Sequence, residues 1–273
     1  MKHYSLADFH EVAKEHDVLY VEDDEASSLA IYDIGNVELS PFAEKIKQYA
    51  YKKGIDKISI KVKEAQSIYF FQHGFQIEAT ILAYYGLQDA VFLGYYLNNE
   101  NAGCNTKEQE KILNKVLCEN VNEADSGALE NITISRDRLA NNVESTKKVV
   151  YSGRSACKQF SSFEPMKFFA QIGNKVVATA SAQFNDEESA VEFSDFTVNV
   201  DYNINNLISY LLMDMESYYL SKGCLTAFTI VSANSIAINT VCAENHYEYG
   251  GTLKNESMIK GELTSLNTWF KRL

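Results

Sequence analysis

The chain has 273 residues, 46% of them hydrophobic, which is enough for two domains of ordinary size with real cores. A formal charge of −12 argues against a nucleic-acid backbone as partner and means that an anionic cofactor needs a local positive site. Five cysteines (Cys104, Cys118, Cys157, Cys224, Cys242) with no C-x-x-C spacing indicate neither a disulfide framework nor a zinc site, and scattered histidines predict no metal. No apolar run approaches the ~20 residues of a membrane span, and "MKHYSLADFHEVAKEHD" is too charged for a signal peptide. The expectation is a cytoplasmic protein with neither membrane nor nucleic acid as partner.

In chain order, "SLAIYDIG" reads as a strand, "PFAEKIKQYAYKKG" as a helix opened by Pro41 and closed by Gly54, and "DKISIKV" as a strand. "EAQSIYFFQHGFQIEATIL" gives a helix, an exit at Gly74-Phe75 and a further strand, with "DAVFLGYYL" closing the run. An Asn- and Glu-rich stretch follows, with helical spacing in "KEQEKILNKVL". "MKFFAQI" and "KVVATASAQF" flank Gly173-Asn174 as a hairpin, and "AVEFSDFTV" is the next strand. Leu207, Leu211, Leu212, Met215, Tyr218 and Tyr219 mark an amphipathic helix ending at Gly223. "CLTAFTIVS" reads as a buried strand, "ANSIAINTVCAENHY" as a helix, and "YEYGGTL" and "NTWFKRL" as closing strands.

The two halves share much of this order. Gly54 and Gly223 are 169 positions apart, and Gly74-Phe75 and His246-Tyr247 are 172 apart, which suggests a pseudo-duplication. Ordinary helix–strand alternation would produce a similar order. The expected divisions are residues 1–100, a linker with a helix at 101–128, and 129–273.

The order of the second half resembles the GCN5-related N-acetyltransferase fold, in which acetyl-CoA lies where the fourth and fifth strands splay apart. "YEYGGTLKNESMIKGELTSLNTWFKRL" looks like the C-terminal signature of β-lysine N-acetyltransferases through Tyr249, Gly250, Gly251, Thr252, Leu253, Asn255, Ser257, Ile259, Gly261, Asn267, Trp269, Phe270, Lys271 and Leu273. "GFQIEATILAYYGLQDAVFLGYYL" is similar to the same family through Gly74, Phe75, Glu78, Ala79, Ile81, Tyr85, Asp89, Ala90, Phe92, Tyr96 and Leu97. The resemblance implies a mixed α/β fold with an acetyltransferase domain after a partial copy of it. It implies transfer of acetyl from acetyl-CoA, without a metal, to the terminal amine of β-lysine, itself made from lysine by an aminomutase. A homodimer is compatible with it.

In the superfamily the pyrophosphate holder is R/Q-x-x-G-x-G/A at a helix entry, where free amides and the helix dipole face the phosphates. Here Phe196, Tyr202, Leu207, Leu211 and Leu212 keep the flanking register, but the tetrad is Asn203-Ile204-Asn205-Asn206. Loss of the cation removes a charge-assisted hydrogen bond, about tenfold to a hundredfold in affinity. Ile204 disfavours positive φ, whereas the asparagines are good N-caps.

The resemblance places Phe196, Thr197, Val198, the loop 203–206, Leu207 and Asn239 against acetyl-CoA. Glu192 and Asp195 are the candidate base or ammonium anchor, with Asp195 preferred because it matches the family's aspartate, and being three apart they point to opposite faces unless a bulge intervenes. Cys242 falls where many relatives place a tyrosine acid for the thiolate, although a small core-facing residue is the preferred reading there. Tyr84, Tyr85, Asp89, Tyr249, Asn255 and Asn267 are candidates for the amine substrate or for the joint between halves. The competing expectation is a noncatalytic acetyltransferase-like protein that binds a ligand or partner.

Overall fold

The computed structural model describes residues 7–98, 106–118, 132–137, 148–151, 165–185 and 188–273. Cys104 and Cys157 lie outside them. The N-terminal half comprises α1 (Ala7–Glu15), β1 (Leu19–Asp23), β2 (Ser28–Asp33), α2 (Leu39–Lys53), β3 (Lys57–Lys63), α3 (Glu64–Phe71), β4 (Gln76–Ile81) and β5 (Ala90–Tyr96). After it come α4 (Thr106–Cys118), β6 (Ile132–Asp137), β7 (Lys148–Tyr151), β8 (Met166–Ile172), β9 (Lys175–Asn185), β10 (Ala190–Asn199) and α5 (Ile204–Leu220). The chain closes with β11 (Thr226–Ser232), α6 (Ile236–Glu244), β12 (Glu248–Ile259) and β13 (Glu262–Arg272).

All described strands join one mixed sheet, in the order β1-β2-β3-β5-β4-β12-β13-β11-β10-β9-β8-β6, with β7 paired to β10 off this path. The order β2-β3-β5-β4 mirrors β10-β11-β13-β12 across the β4–β12 seam. In each half a helix crosses between parallel strands, α2 joining β2 to β3 and α5 joining β10 to β11. At the seam Ala79 pairs with Gly251, positions 172 apart and therefore each other's counterparts. Such self-pairing is what a two-fold relation requires of residues on its axis. The β4 ladder also slips between Ile77 and Ala79, and the β12 ladder between Tyr249 and Gly251, the same two positions offset by 172. Strand order and register slips thus repeat between the halves at nearly the spacing of the glycines.

Glycines act where backbones touch or helices stop. Gly54 and Gly223 follow α2 and α5 with φ of +72° and +83°, a region glycine enters without a Cβ penalty. A Cβ on Gly250 would strike Thr80 O, and one on Gly251 would strike Glu78 O and Ala79, so these glycines let β12 reach β4.

Among the described residues three apolar clusters form the core. One packs α2 and α3 on the N-terminal strands, with Phe42, Ile46 and Phe70 at its centre. A second packs α5 and α6 on the C-terminal strands through Leu207, Leu211, Met215 and Trp269. The third lies at the joint, on the face away from α5 and α6, and holds Tyr84, Phe92, Ala190, Phe228, Leu266 and Phe270. Lys57 is buried beside it, bonded to Glu78 at 2.9 Å, Glu256 at 2.7 Å and the Lys254 carbonyl. Burial pulls the Lys57 pKa down, but the two carboxylates outweigh it and the net direction is up.

Four elements were not read from the sequence: α1, β1, β6 and β7. β12 and β13 form one long hairpin through Lys260-Gly261 rather than two short separated strands. No described helix is long and apolar enough to cross a membrane.

Candidate active site

The parallel ladder of β10 and β11 has three rungs, Ala190–Thr226, Val191–Ala227 and Glu192–Phe228, and then the strands part. Both strands run on for several residues, so a gap opens toward their C-terminal ends. Glu192 sits on the last rung and is 6% exposed, opposite Phe228 on one side and Gln183 on the other, and it has polar interactions of its own. It shares a face with Ala190, which lines the joint, whereas Val191 and Phe193 face α5 and α6.

The bulge that the spacing of Glu192 and Asp195 calls for is present. The β9–β10 register slips between Ser194 and Thr197, and Asp195 carries φ +53°. One added residue reverses the alternation, so that Phe196 and Val198 join Val191 and Phe193 in the helix-side core. Ser194 Oγ approaches Asp195 Oδ2 at 3.5 Å, and Thr197 Oγ1 donates to the Asp195 carbonyl at 3.4 Å.

The edge of β10 expected to meet acetyl-CoA is paired with β7. Phe196, Thr197, Val198 and Asn199 lie opposite Tyr151, Val150, Val149 and Lys148, while β9 holds the other edge. A strand has two edges, so β7 lies on the β11 side, within the opened gap. This pairing was not foreseen, because "KVVY" is too short to stand out in an irregular stretch.

The loop before α5 departs from expectation in a simpler way. Asn203 caps the helix, its Oδ1 accepting from Asn206 N at 3.2 Å, as its type favours. No residue from 199 to 206 has positive φ, so the strain anticipated at Ile204 does not arise. Ile204 instead packs on the helix-side core, where Leu207 is fully buried. Asn205 Nδ2 reaches Glu244 Oε2 at 3.5 Å, a residue that sequence reading passed over. Burial raises the Glu244 pKa.

Asn239 is corrected by its partners. Its Nδ2 donates to the carbonyls of Ser232 at 2.9 Å and Ser235 at 2.6 Å, and its Oδ1 accepts from Asn267 Nδ2 and Trp269 Nε1. An asparagine amide offers two donors and two acceptor sites, so none is left for the pantetheine contact. Asn267 Oδ1 accepts from Thr252 Oγ1 at 2.7 Å, which lies 2.5 Å from Tyr249 OH. Tyr249, Thr252, Asn267 and Trp269 of the terminal signature therefore form a hydrogen-bonded brace of the closing hairpin. Cys242 is 1% exposed within the helix-side core, the core-facing placement preferred from the sequence, and burial pushes its thiol strongly up.

The remaining candidates do not converge on the gap. Tyr84 OH donates to Glu188 at 3.0 Å, and Lys61 donates to Tyr84 OH and to Glu188, both at 2.8 Å. Tyr85 packs edge-on to Tyr84, and burial raises it to about 12 against the lowering effect of Lys61. Asp89 Oδ1 accepts from Ala83 N at 2.8 Å and fixes their turn. Thr226 Oγ1 donates to the carbonyls of Leu82 and Ala83, so this turn seats at the closed end of the β10–β11 ladder. Asn255 is 5% exposed at φ +48° in the β12 irregularity, its amide donating to Ser265 Oγ. These residues hold the joint. Among the described residues no three His, Cys, Asp or Glu side chains gather as a metal would need.

No family model matches the chain. It is 27% identical to the β-lysine N(6)-acetyltransferase of Methanococcus maripaludis over 233 residues, 81% of this chain and 84% of that one. It is 30% identical to the N-acetyltransferase YodP of Bacillus subtilis over 100 residues, 37% of this chain and 36% of that one. Among solved structures, a ribosomal-protein-alanine N-acetyltransferase from Brucella melitensis aligns at TM-score 0.37 and 19% identity, covering 40% of this chain and 69% of that one. An N-acetyltransferase from Staphylococcus aureus aligns at TM-score 0.37 and 18% identity, covering 42% and 71%. By sequence similarity along most of its length, the chain is a relative of the N-acetyltransferases.

Proposed function

We propose that the chain is an acetyl-CoA-dependent N-acetyltransferase acting on a small amine, with the terminal amine of β-lysine as its substrate. The observation that carries the chemistry is the parting of β10 from β11 at a buried carboxylate. The choice of β-lysine rests on the 27% identical relative that spans most of the chain. Its substrate then comes from an aminomutase acting on lysine. On this reading residues 129–273 are the catalytic part, and residues 1–100 a scaffold closing the far face of the gap.

The parting strands give two reactants access to one point. The thioester arrives from the side of α5 and α6, and the amine from the joint side, where Glu192 stands. An ammonium docking near Glu192 gains a charge partner in an apolar setting. It loses its proton through water to bulk solvent while the carboxylate holds and orients it, because a carboxylate is too weak a base to deprotonate an amine outright. The freed nitrogen attacks the carbonyl carbon, the N–C bond forms, the C–S bond breaks, and CoA leaves as a thiolate that takes up the second N–H proton through water. Asp195, displaced by the bulge, is the alternative anchor for the ammonium.

A second reading draws on β7. With Phe196 to Asn199 paired to it, an acyl-CoA arm lies along β10 only after β7 has moved away. A chain that never releases β7 is a noncatalytic scaffold. Calorimetric titration with acetyl-CoA, followed by a free-thiol assay with β-lysine, separates the two. Binding and turnover support the enzyme, and no heat and no thiol at millimolar ligand sink it.

A further inference from the structure

Among the described residues three buried side-chain atoms have no hydrogen-bond partner: Glu216 Oε1, Thr229 Oγ1 and Tyr247 OH. Glu216 belongs to a polar cluster at the far end of β13, where its other oxygen accepts from Lys271 at 2.7 Å, and Tyr247 flanks the same lysine. Thr229 is different. It is the first residue of β11 beyond the last rung with β10, and it is 1% exposed. Ala227 and Val231 belong to the helix-side cluster, Phe228 and Ile230 to the joint, so alternation turns Thr229 toward α5 and α6.

A buried hydroxyl without a partner is costly, and valine would fill nearly the same space without that cost. Polar atoms left unpaired in this way call for an explanation in terms of what binds there. We propose that the Thr229 hydroxyl receives the thioester group of acetyl-CoA, an assignment that rests on the acetyltransferase reading above. The two groups are complementary, since the hydroxyl needs an acceptor and the thioester carbonyl oxygen offers lone pairs and no proton. Thr229 stands on the helix side of the parting, and Glu192 on the opposite face one rung away. The carbonyl carbon is thereby held between the hydroxyl on its oxygen and the amine approaching from Glu192. As the N–C bond forms, the π electrons move onto the carbonyl oxygen and the hydroxyl hydrogen bond strengthens. They return as the C–S bond breaks and its electron pair leaves on sulfur. Thr229 keeps its proton throughout.

The test uses the full chain with Thr229→Val and Thr229→Ser, read by thermal unfolding without ligand and by calorimetry with acetyl-CoA and with free CoA. Thr229→Val is expected to melt about 2–4 °C higher, having lost an unpaired buried hydroxyl. It should bind acetyl-CoA about tenfold more weakly while its affinity for free CoA changes less than twofold. Thr229→Ser should retain wild-type affinity. A lower melting temperature for Thr229→Val would mean that the hydroxyl has a structural partner, and would overturn the assignment. So would equal effects on acetyl-CoA and free CoA, or none. Wild-type protein that binds no acetyl-CoA removes the acetyltransferase reading and this inference together. Wild-type binding matched by Thr229→Val removes only the inference.

Discussion

In the N-terminal half, the entrance to α2 is filled by the chain's own backbone: Asn36 N donates to the His16 carbonyl at 3.1 Å, and a Cβ on Gly35 would strike that carbonyl. In the C-terminal half the entrance to α5 is capped by the Asn203 side chain, whose Oδ1 accepts from Asn206 N. The strands before those helices differ in the same sense. By register Ala30 of β2 occupies the place of Glu192 in β10, since their partners Ser59 and Phe228 are 169 positions apart. The β1–β2 ladder slips around Tyr32, near the position of the β10 bulge, but Asp33 is exposed and its Oδ1 only accepts from Gly35 N. The two halves share a topology but differ at these positions: Ala30 stands where the C-terminal half has Glu192, and backbone occupies the approach to α2.

That contrast can be broken at several points. The largest effect is expected from Gly251→Val, which places a branched side chain at φ +137° against Glu78 and Ala79 and should cost about 4 kcal/mol or more in denaturant unfolding. Lys57→Met, which leaves Glu78 and Glu256 buried without their cation, should cost about 3–5 kcal/mol, and adding Glu78→Gln and Glu256→Gln should recover much of it. The pH dependence follows from the raised Lys57 pKa. The stabilisation is complete below the ordinary lysine value of 10.5 and is lost as pH climbs through the higher folded value, so the wild type should weaken at alkaline pH more than Lys57→Met does.

Glu192→Ala makes the C-terminal half like the N-terminal one at the position where they differ most, and Glu192→Gln removes only the charge. Either should lower kcat by about a hundredfold or more, while turnover that survives both would pass the ammonium-anchoring role to Asp195. The smallest effect is expected from Asn203→Ala, which removes the cap for about 1 kcal/mol. Acetyl-CoA affinity that falls by more than the stability loss would show that the Asn203 side chain meets the ligand as well.

Much of the fold was legible in the sequence because the strong signals are local. Gly54 and Gly223 closed the helices they were read to close, and the Gly173-Asn174 turn joins β8 to β9. β1, β6 and β7 escaped notice because they are only four to six residues long, and β6 and β7 gain their hydrogen bonds from strands that are not their chain neighbours. The site was legible in outline only. The bulge was inferred as a condition of Glu192 and Asp195 acting together, since alternation makes that condition explicit. Residues such as Asn239 and Cys242 could not be judged from type and position, because an asparagine that contacts a ligand and one saturated inside a brace look alike until partners are counted. Thr229 gave no signal at all, being one more β-branched residue in a strand read as wholly buried.

The paired glycines of the terminal signature alter what that signature reports. Gly250 and Gly251 lie where β12 meets β4, with no side chain between the backbones. That part of the motif therefore reports how the two halves are joined: a larger residue at either position would part the single sheet into two, whatever chemistry the chain performs.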